Sequence, residues 1–165
     1  MSTKKITTTN SVKKTREIAA KFAEQILRSR LGGSQGSSMQ SGQKPGNTAV
    51  VLGLRGELGS GKTTFLQGFA EGLGIKEKIL SPTFILMKRF KIYDLRFKNF
   101  YHIDCYRLKN EKDSRHLGFK EIVSNPENIV AIEWPERIRS LLPRNKILIK
   151  FDHINKTTRK LTIIE

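Results

Sequence analysis

The chain has 165 residues, with 31 lysines and arginines against 15 acids and a formal net charge of +16 at neutral pH. One domain spanning 1–165 is expected at that length, with a core large enough to need no staples. The lone cysteine, Cys105, excludes an internal disulfide framework, and the longest apolar runs fall far short of the roughly 20 residues a membrane-spanning helix needs. No apolar stretch follows the polar N-terminus, so a cytoplasmic protein without membrane contact is expected. The basic excess invites a phosphate-bearing or acidic partner. It is spread, however: residues 1–47 carry 9 basic and 2 acidic side chains, residues 48–165 carry 22 and 13.

From Val12 to Leu27 the apolar positions Val12, Ile18, Ala19, Phe22, Ala23, Ile26 and Leu27 recur at helical spacing, with Thr9, Asn10 and Ser11 as candidate N-caps. Residues 31–47 are rich in glycine, serine and glutamine, which predicts a flexible polar loop within the domain. Thr48 to Arg55 is a continuous β-rich run, as expected of a strand covered on both faces. A helix is predicted from Lys62 to Leu73, closed by Gly74. Strands follow at Phe84–Phe90 and Phe100–Asp104, then a helix at Glu111–Val123 and a buried strand at Asn128–Glu133. Lys146–Ile154 and Thr158–Ile164 read as a terminal hairpin. Strands alternating with helices predict an α/β fold, a mainly parallel sheet flanked by helices with antiparallel edge strands.

Gly56-Glu57-Leu58-Gly59-Ser60-Gly61-Lys62-Thr63 matches the phosphate-loop pattern of glycine, four residues, glycine, lysine and threonine. It begins where a buried strand ends and opens a helix, which is the context its mechanism requires. Glycines let the backbone wrap a phosphate closely, and the free amides of the helix start, continuing through Thr64, point at the same anion. Lys62 supplies a mobile charge for β- and γ-phosphates, and Thr63 a hydroxyl for magnesium. These residues predict a P-loop nucleotide-binding fold that takes a nucleoside triphosphate with Mg2+.

A magnesium-bound nucleotide also needs a carboxylate for the ion and a group to orient water. Asp104 and Glu133 end the apolar segments FYHID and NIVAIE, where open α/β sheets place ligands. The plainer use of Asp104 is a helix cap or a partner for Arg107, and that of Glu133 an ion pair with Arg137 or Arg139. Cys105 reads as a small buried apolar residue and His102 as a hydrogen-bonded strand residue.

Five segments together carry a resemblance: Leu54–Ile75, SPTF at Ser81–Phe84, YHIDCYRL at Tyr101–Leu108, LGFKEIV at Leu117–Val123 and IEWPERI at Ile132–Ile138. In order and spacing the chain resembles the bacterial TsaE (formerly YjeE) P-loop ATPases of tRNA threonylcarbamoyladenosine biosynthesis. The resemblance implies that Thr63 and Glu133 contact magnesium, that Ser81, Pro82 and Thr83 form a switch-like loop sensing the γ-phosphate, and that Asp104 is needed for hydrolysis. It places Trp134 beside the nucleotide, and Thr9–Val12 and Arg159 near the base or ribose. It also implies TsaB and TsaD as partners, with tRNA met indirectly or within their complex. The implied activity is slow ATP hydrolysis that partners accelerate. Two rival readings are a P-loop kinase for a small metabolite and a non-catalytic nucleic-acid-binding module using the basic surface.

Overall fold

A computed structural model describes residues 3–29, 47–80, 86–109 and 111–165, with the backbone alone at 115–116. The expected switch loop at Ser81, Pro82 and Thr83, and residues 31–46 of the flexible loop expected at 31–47, lie outside the described residues. The elements run β1 (Lys4–Thr9), α1 (Val12–Ser29), β2 (Val50–Arg55), α2 (Lys62–Gly72), β3 (Met87–Lys91), β4 (Asn99–Asp104), a 3-10 segment (Glu111–Leu117), α3 (Phe119–Ser124), β5 (Asn128–Glu133), a second 3-10 segment (Pro135–Leu141), β6 (Ile147–His153) and β7 (Arg159–Ile164).

The strands form one seven-stranded sheet in the order β1-β7-β6-β2-β5-β4-β3. Its centre, β6-β2-β5-β4, is parallel, while β3 pairs antiparallel with β4 on one side and β7 pairs antiparallel with both β6 and β1 on the other. The expected α/β architecture with antiparallel edges is therefore present. Alternation along the strands sorts side chains to two faces. Leu52, Leu54, Phe100, Ile129 and Ala131 pack beneath α1 and α2, whereas Val51, Ile103, Val130 and Ile132 pack with Phe119, Ile122 and Ile138 on the other side.

Helix α1 starts at a Ser11 cap whose Oγ accepts from the Lys14 amide at 3.1 Å. It buries Ala19, Phe22, Ala23 and Ile26, and fully covering a side chain such as Phe22 or Ile26 contributes roughly 1.5–3 kcal/mol. Its C-terminal end is held by Arg96, whose Nη2 donates to the Leu27 carbonyl. Helix α2 lies directly on it. Ideal Cβ atoms on Gly68 and Gly72 would fall 2.3 Å from the Arg16 carbonyl oxygen and 2.4 Å from that of Ala20, so only hydrogen fits between the two backbones.

Two expectations need correcting, and one strand was not expected. The helix expected over Glu111–Val123 is broken: Gly118 takes a φ of +60° and divides a 3-10 segment from the short α3. The strand expected at Phe84–Phe90 is described from Met87 and extends to Lys91. Lys4–Thr9, for which no element was expected, is an edge strand paired in antiparallel register with β7, Thr9 facing Arg159. Cys105 is fully buried as expected, and burial pushes its thiol up to about 12. Among the described residues no helix is long and apolar enough to cross a membrane.

Candidate functional site

The parallel strands bring their C-terminal ends to one edge of the sheet. Leu54 of β2 and Asp104 of β4 both stand opposite Glu133 of β5, so Glu133 occupies the centre of that edge. By the two-residue alternation that puts Phe100, Ile129 and Ala131 under the helices, His102, Asp104 and Glu133 share the face on which α2 lies. The loop from Gly56 to Gly61 leads from β2 across this edge into α2.

The loop has the backbone of an anion cradle. Gly59 and Gly61 have φ values of +71° and +102°, which other residues adopt only with strain, and an added Cβ at either would meet nothing within 4 Å. Helix α2 has no side-chain cap, and its first intrahelical bond runs from the Phe65 amide to the Gly61 carbonyl at 2.9 Å. The amides of Lys62, Thr63 and Thr64 are thus left to face whatever occupies the loop. Ser60 is buried and Leu58 stands exposed at the tip, while Glu57 is exposed and offers its carbonyl inward.

Lys62 is the centre of the site. Its side chain is only 5% exposed, and Nζ donates to the carbonyls of Gly56 at 2.7 Å and Glu57 at 2.8 Å. The ammonium lies 4.6 Å from the centroid of the Trp134 ring, which also packs on Tyr106. Burial lowers the Lys62 pKa from its ordinary value, against the opposing pull of the carboxylates of Glu133, Asp104 and Glu136. The loop, Lys62, both acids and Trp134 are therefore assembled in one place.

The acids are held differently. Asp104 Oδ1 accepts the Tyr106 amide at 2.9 Å, a turn that ends β4. Glu133 is buried and meets His102, Oε1 to Nε2 at 2.8 Å, rather than the expected Arg137 or Arg139. Among the described residues Oε2 has no hydrogen-bond partner. No cluster of three or more His, Cys, Asp or Glu side chains that could hold a metal exists among the described residues. A magnesium ion here would thus draw on Thr63, one or two carboxylates, water and the substrate phosphates, which is how that ion is usually held beside nucleotides.

Beside the loop a cavity of about 560 Å3 is lined by Trp134, Glu136, Arg55 and residues of β6, including Asp152 and His153. His153 reaches the Gly59 carbonyl through Nε2 at 3.1 Å, so the terminal hairpin touches the tip of the loop. Arg159, opposite both His153 and Thr9, turns its guanidinium onto the hairpin's own carbonyls at Asn155, Lys156 and Thr158. Sequence reasoning gave no place to His153 or Glu136. Glu136 lies three residues beyond the recognised acid and pairs with Arg55 at 3.6 Å, whereas nothing local to His153 marks its contact 94 residues away.

A family model described as threonylcarbamoyl adenosine biosynthesis protein TsaE matches residues 9–161. A Bacillus subtilis protein named tRNA threonylcarbamoyladenosine biosynthesis protein TsaE is 39% identical over 72% of this chain and 70% of its own length. A Treponema pallidum protein of the same name is 39% identical over 68% of this chain and 80% of its own. The crystal structure of Bacillus subtilis YdiB superposes with a TM-score of 0.66 at 25% identity, covering 99% of this chain and 86% of that one. With the family model spanning both the phosphate loop and the terminal hairpin that touches it, the chain belongs to the TsaE family.

Proposed function

We propose that this chain is a magnesium-dependent ATPase serving tRNA N6-threonylcarbamoyladenosine modification, acting with TsaB- and TsaD-like partners while proteins other than this chain make and transfer the threonylcarbamoyl group. One observation carries the ATPase reading. The loop between β2 and α2 holds a buried lysine that shares its electrostatic surroundings with two strand-end carboxylates, Asp104 and Glu133.

In this reading ATP is the substrate and its phosphates lie in the loop formed by Glu57, Leu58, Gly59, Ser60 and Gly61. Lys62 leaves the Gly56 and Glu57 carbonyls for the phosphate oxygens, exchanging neutral acceptors for charged ones, which is the stronger bond. Thr63 and Glu133 hold the magnesium ion, which when bound spreads the negative charge of the phosphates. Thr64 contributes its amide and Asp104 orients the attacking water. Trp134 bounds the site beside Lys62. Thr9–Val12 and Arg159 are assigned to the base or ribose, and Ser81, Pro82 and Thr83 to sensing the γ-phosphate, on the resemblance of those segments.

The pathway reading rests on the names of the relatives, which are tRNA threonylcarbamoyladenosine biosynthesis proteins. The test is ATP turnover by the purified chain alone and with TsaB, TsaD and tRNA, for wild type and Asp104→Ala. Slow turnover alone, acceleration by the partners and loss of both in the variant are expected. Rapid hydrolysis indifferent to the partners would refute the coupling, and preferential phosphoryl transfer to an added nucleoside or sugar would replace it with a kinase.

A further inference from the structure

We propose that His102 is a positioning residue for Glu133: it donates from Nε2 to Oε1, fixes the carboxylate and leaves Oε2 for the metal. The inference rests on the reading of Glu133 as a magnesium-holding group.

Both side chains are buried, His102 at 0% and Glu133 at 3% exposure, and they meet at 2.8 Å. A carboxylate out of water needs a hydrogen-bond donor, and His102 is the side chain that supplies it. Both groups stand on neighbouring strands in fixed register, His102 opposite Ala131 and Asp104 opposite Glu133. Groups held by strands are placed more accurately than groups held by loops.

The other ring nitrogen is informative. Nδ1 of His102 is buried and has no partner among the described residues. With the hydrogen on Nε2, the ring gives its one donor to Glu133 and leaves Nδ1 as a bare acceptor, so no N–H is orphaned. A histidine kept only to fill the core beneath α2 would have no need of a polar edge there, and an apolar side chain would avoid the cost of an unpaired nitrogen. The one polar contact that this ring makes among the described residues is therefore the contact that accounts for it.

Glu133 also has a competing partner. It pulls on Lys62 through its charge, yet the Lys62 ammonium bonds two loop carbonyls and forms no direct ion pair with it. A carboxylate free to turn could close on that ammonium, and each would then be withheld from phosphate and metal. By holding Oε1, His102 keeps the acid and the lysine apart while both remain close to the loop.

The experiment uses the full chain and its one tryptophan, Trp134, whose ring lies 4.6 Å from the Lys62 ammonium. Binding of a nonhydrolysable ATP analogue is followed by tryptophan fluorescence, first in chelator and then across a magnesium series. His102→Leu should bind the analogue in chelator within about twofold of wild type, but need about tenfold more magnesium for half its effect. His102→Gln, whose amide can donate from near the position of Nε2, should recover most of that loss. His102→Asn, whose amide sits where Nδ1 stands, should not. A folded His102→Leu variant with the wild-type magnesium midpoint would overturn the proposal, as would a His102→Gln variant no better than His102→Asn. The last comparison decides the matter even where His102→Leu does not fold. A wild-type chain whose analogue affinity ignores magnesium would instead remove the metal reading of Glu133, and this proposal with it.

Discussion

Replacing Gly68 by alanine tests how the phosphate-loop helix is seated. The added Cβ would lie 2.3 Å from the Arg16 carbonyl oxygen and 2.4 Å from the Arg16 Cα, whereas ordinary contact begins near 3.4 Å, so α1 has to retreat from α2 by about 1 Å. Rotamer changes cannot absorb this, because the atoms struck are backbone. The same interface carries Phe22 against Phe65 and Phe69 at ring separations of 6.4 and 6.2 Å, together with Ala19 and Ala23. A gap of that size forfeits about a quarter to a half of each dispersion contact across it, and overpacking of this kind costs about 1–3 kcal/mol or more. Alanine returns about 1 kcal/mol in helix propensity. A net loss of about 1–2 kcal/mol is expected, seen as a lower urea midpoint in far-UV circular dichroism with an unchanged slope. The loop itself stays anchored by β2, so the folded fraction should keep its nucleotide affinity. Stability equal to wild type, or greater by the propensity gain alone, would refute the close helix contact. Lys21→Ala, on the solvent side of α1, serves as the control and should change stability by less than about 0.5 kcal/mol.

Lys62→Ala should lower nucleotide affinity by about 10–100-fold, the loss of one charge-assisted contact of about 1.5–3 kcal/mol, read by isothermal calorimetry. Asp104→Asn keeps the Oδ1 that accepts the Tyr106 amide, so it should fold and bind nucleotide as wild type does while ATP turnover falls; an equal loss of binding would count against a role for Asp104 in hydrolysis alone. The Cys105 thiol should resist Ellman's reagent until the chain unfolds. Its pKa rises from an ordinary 9.0 to about 12, so between those values the unfolded state has released a proton that the folded state keeps. Stability should therefore fall as pH rises through that window, by up to about 1.4 kcal/mol per pH unit, and Cys105→Ala should remove that part of the slope in urea titrations.

The phosphate loop, its helix and the strands that place Asp104 and Glu133 were legible because each is written in a contiguous signal: a spaced glycine motif, a helical stripe, an apolar run ending in an acid. What could not be read is non-local. β1 offers only Ile6 among lysines and threonines, and that isoleucine is itself 57% exposed; the strand exists because β7 presents an edge to pair with. The break at Gly118 is a positive-φ choice that glycine permits but does not announce. The partner of Glu133 lies 31 residues away on another strand, and only the register of β4 against β5 selects His102 over the nearer arginines. Gly68 and Gly72 look like weak points of a helix in the sequence, and it takes α1 at its final distance to make them necessary.

Trp134 shows how these non-local contacts determine local geometry. It is the one described residue other than glycine with positive φ, at 58°, a left-handed conformation that costs about 1–2 kcal/mol. Four neighbours hold it there. Its amide extends the sheet by donating to the Leu54 carbonyl at 3.2 Å, Pro135 opens the next 3-10 segment, and its ring lies between Tyr106 and the Lys62 ammonium. An extended residue at this point would carry the chain straight on from β5 and take the indole away from the lysine. The reversal instead keeps Glu133 facing α2 while the next side chain covers the loop lysine from the other side. Strain at such a position persists only where the surroundings over-determine it, and here they do so through β2, β4 and the loop together. The acid that ends β5 and the aromatic ring that follows it are thus set by one backbone turn, which ties the placement of the carboxylate to that of the ammonium.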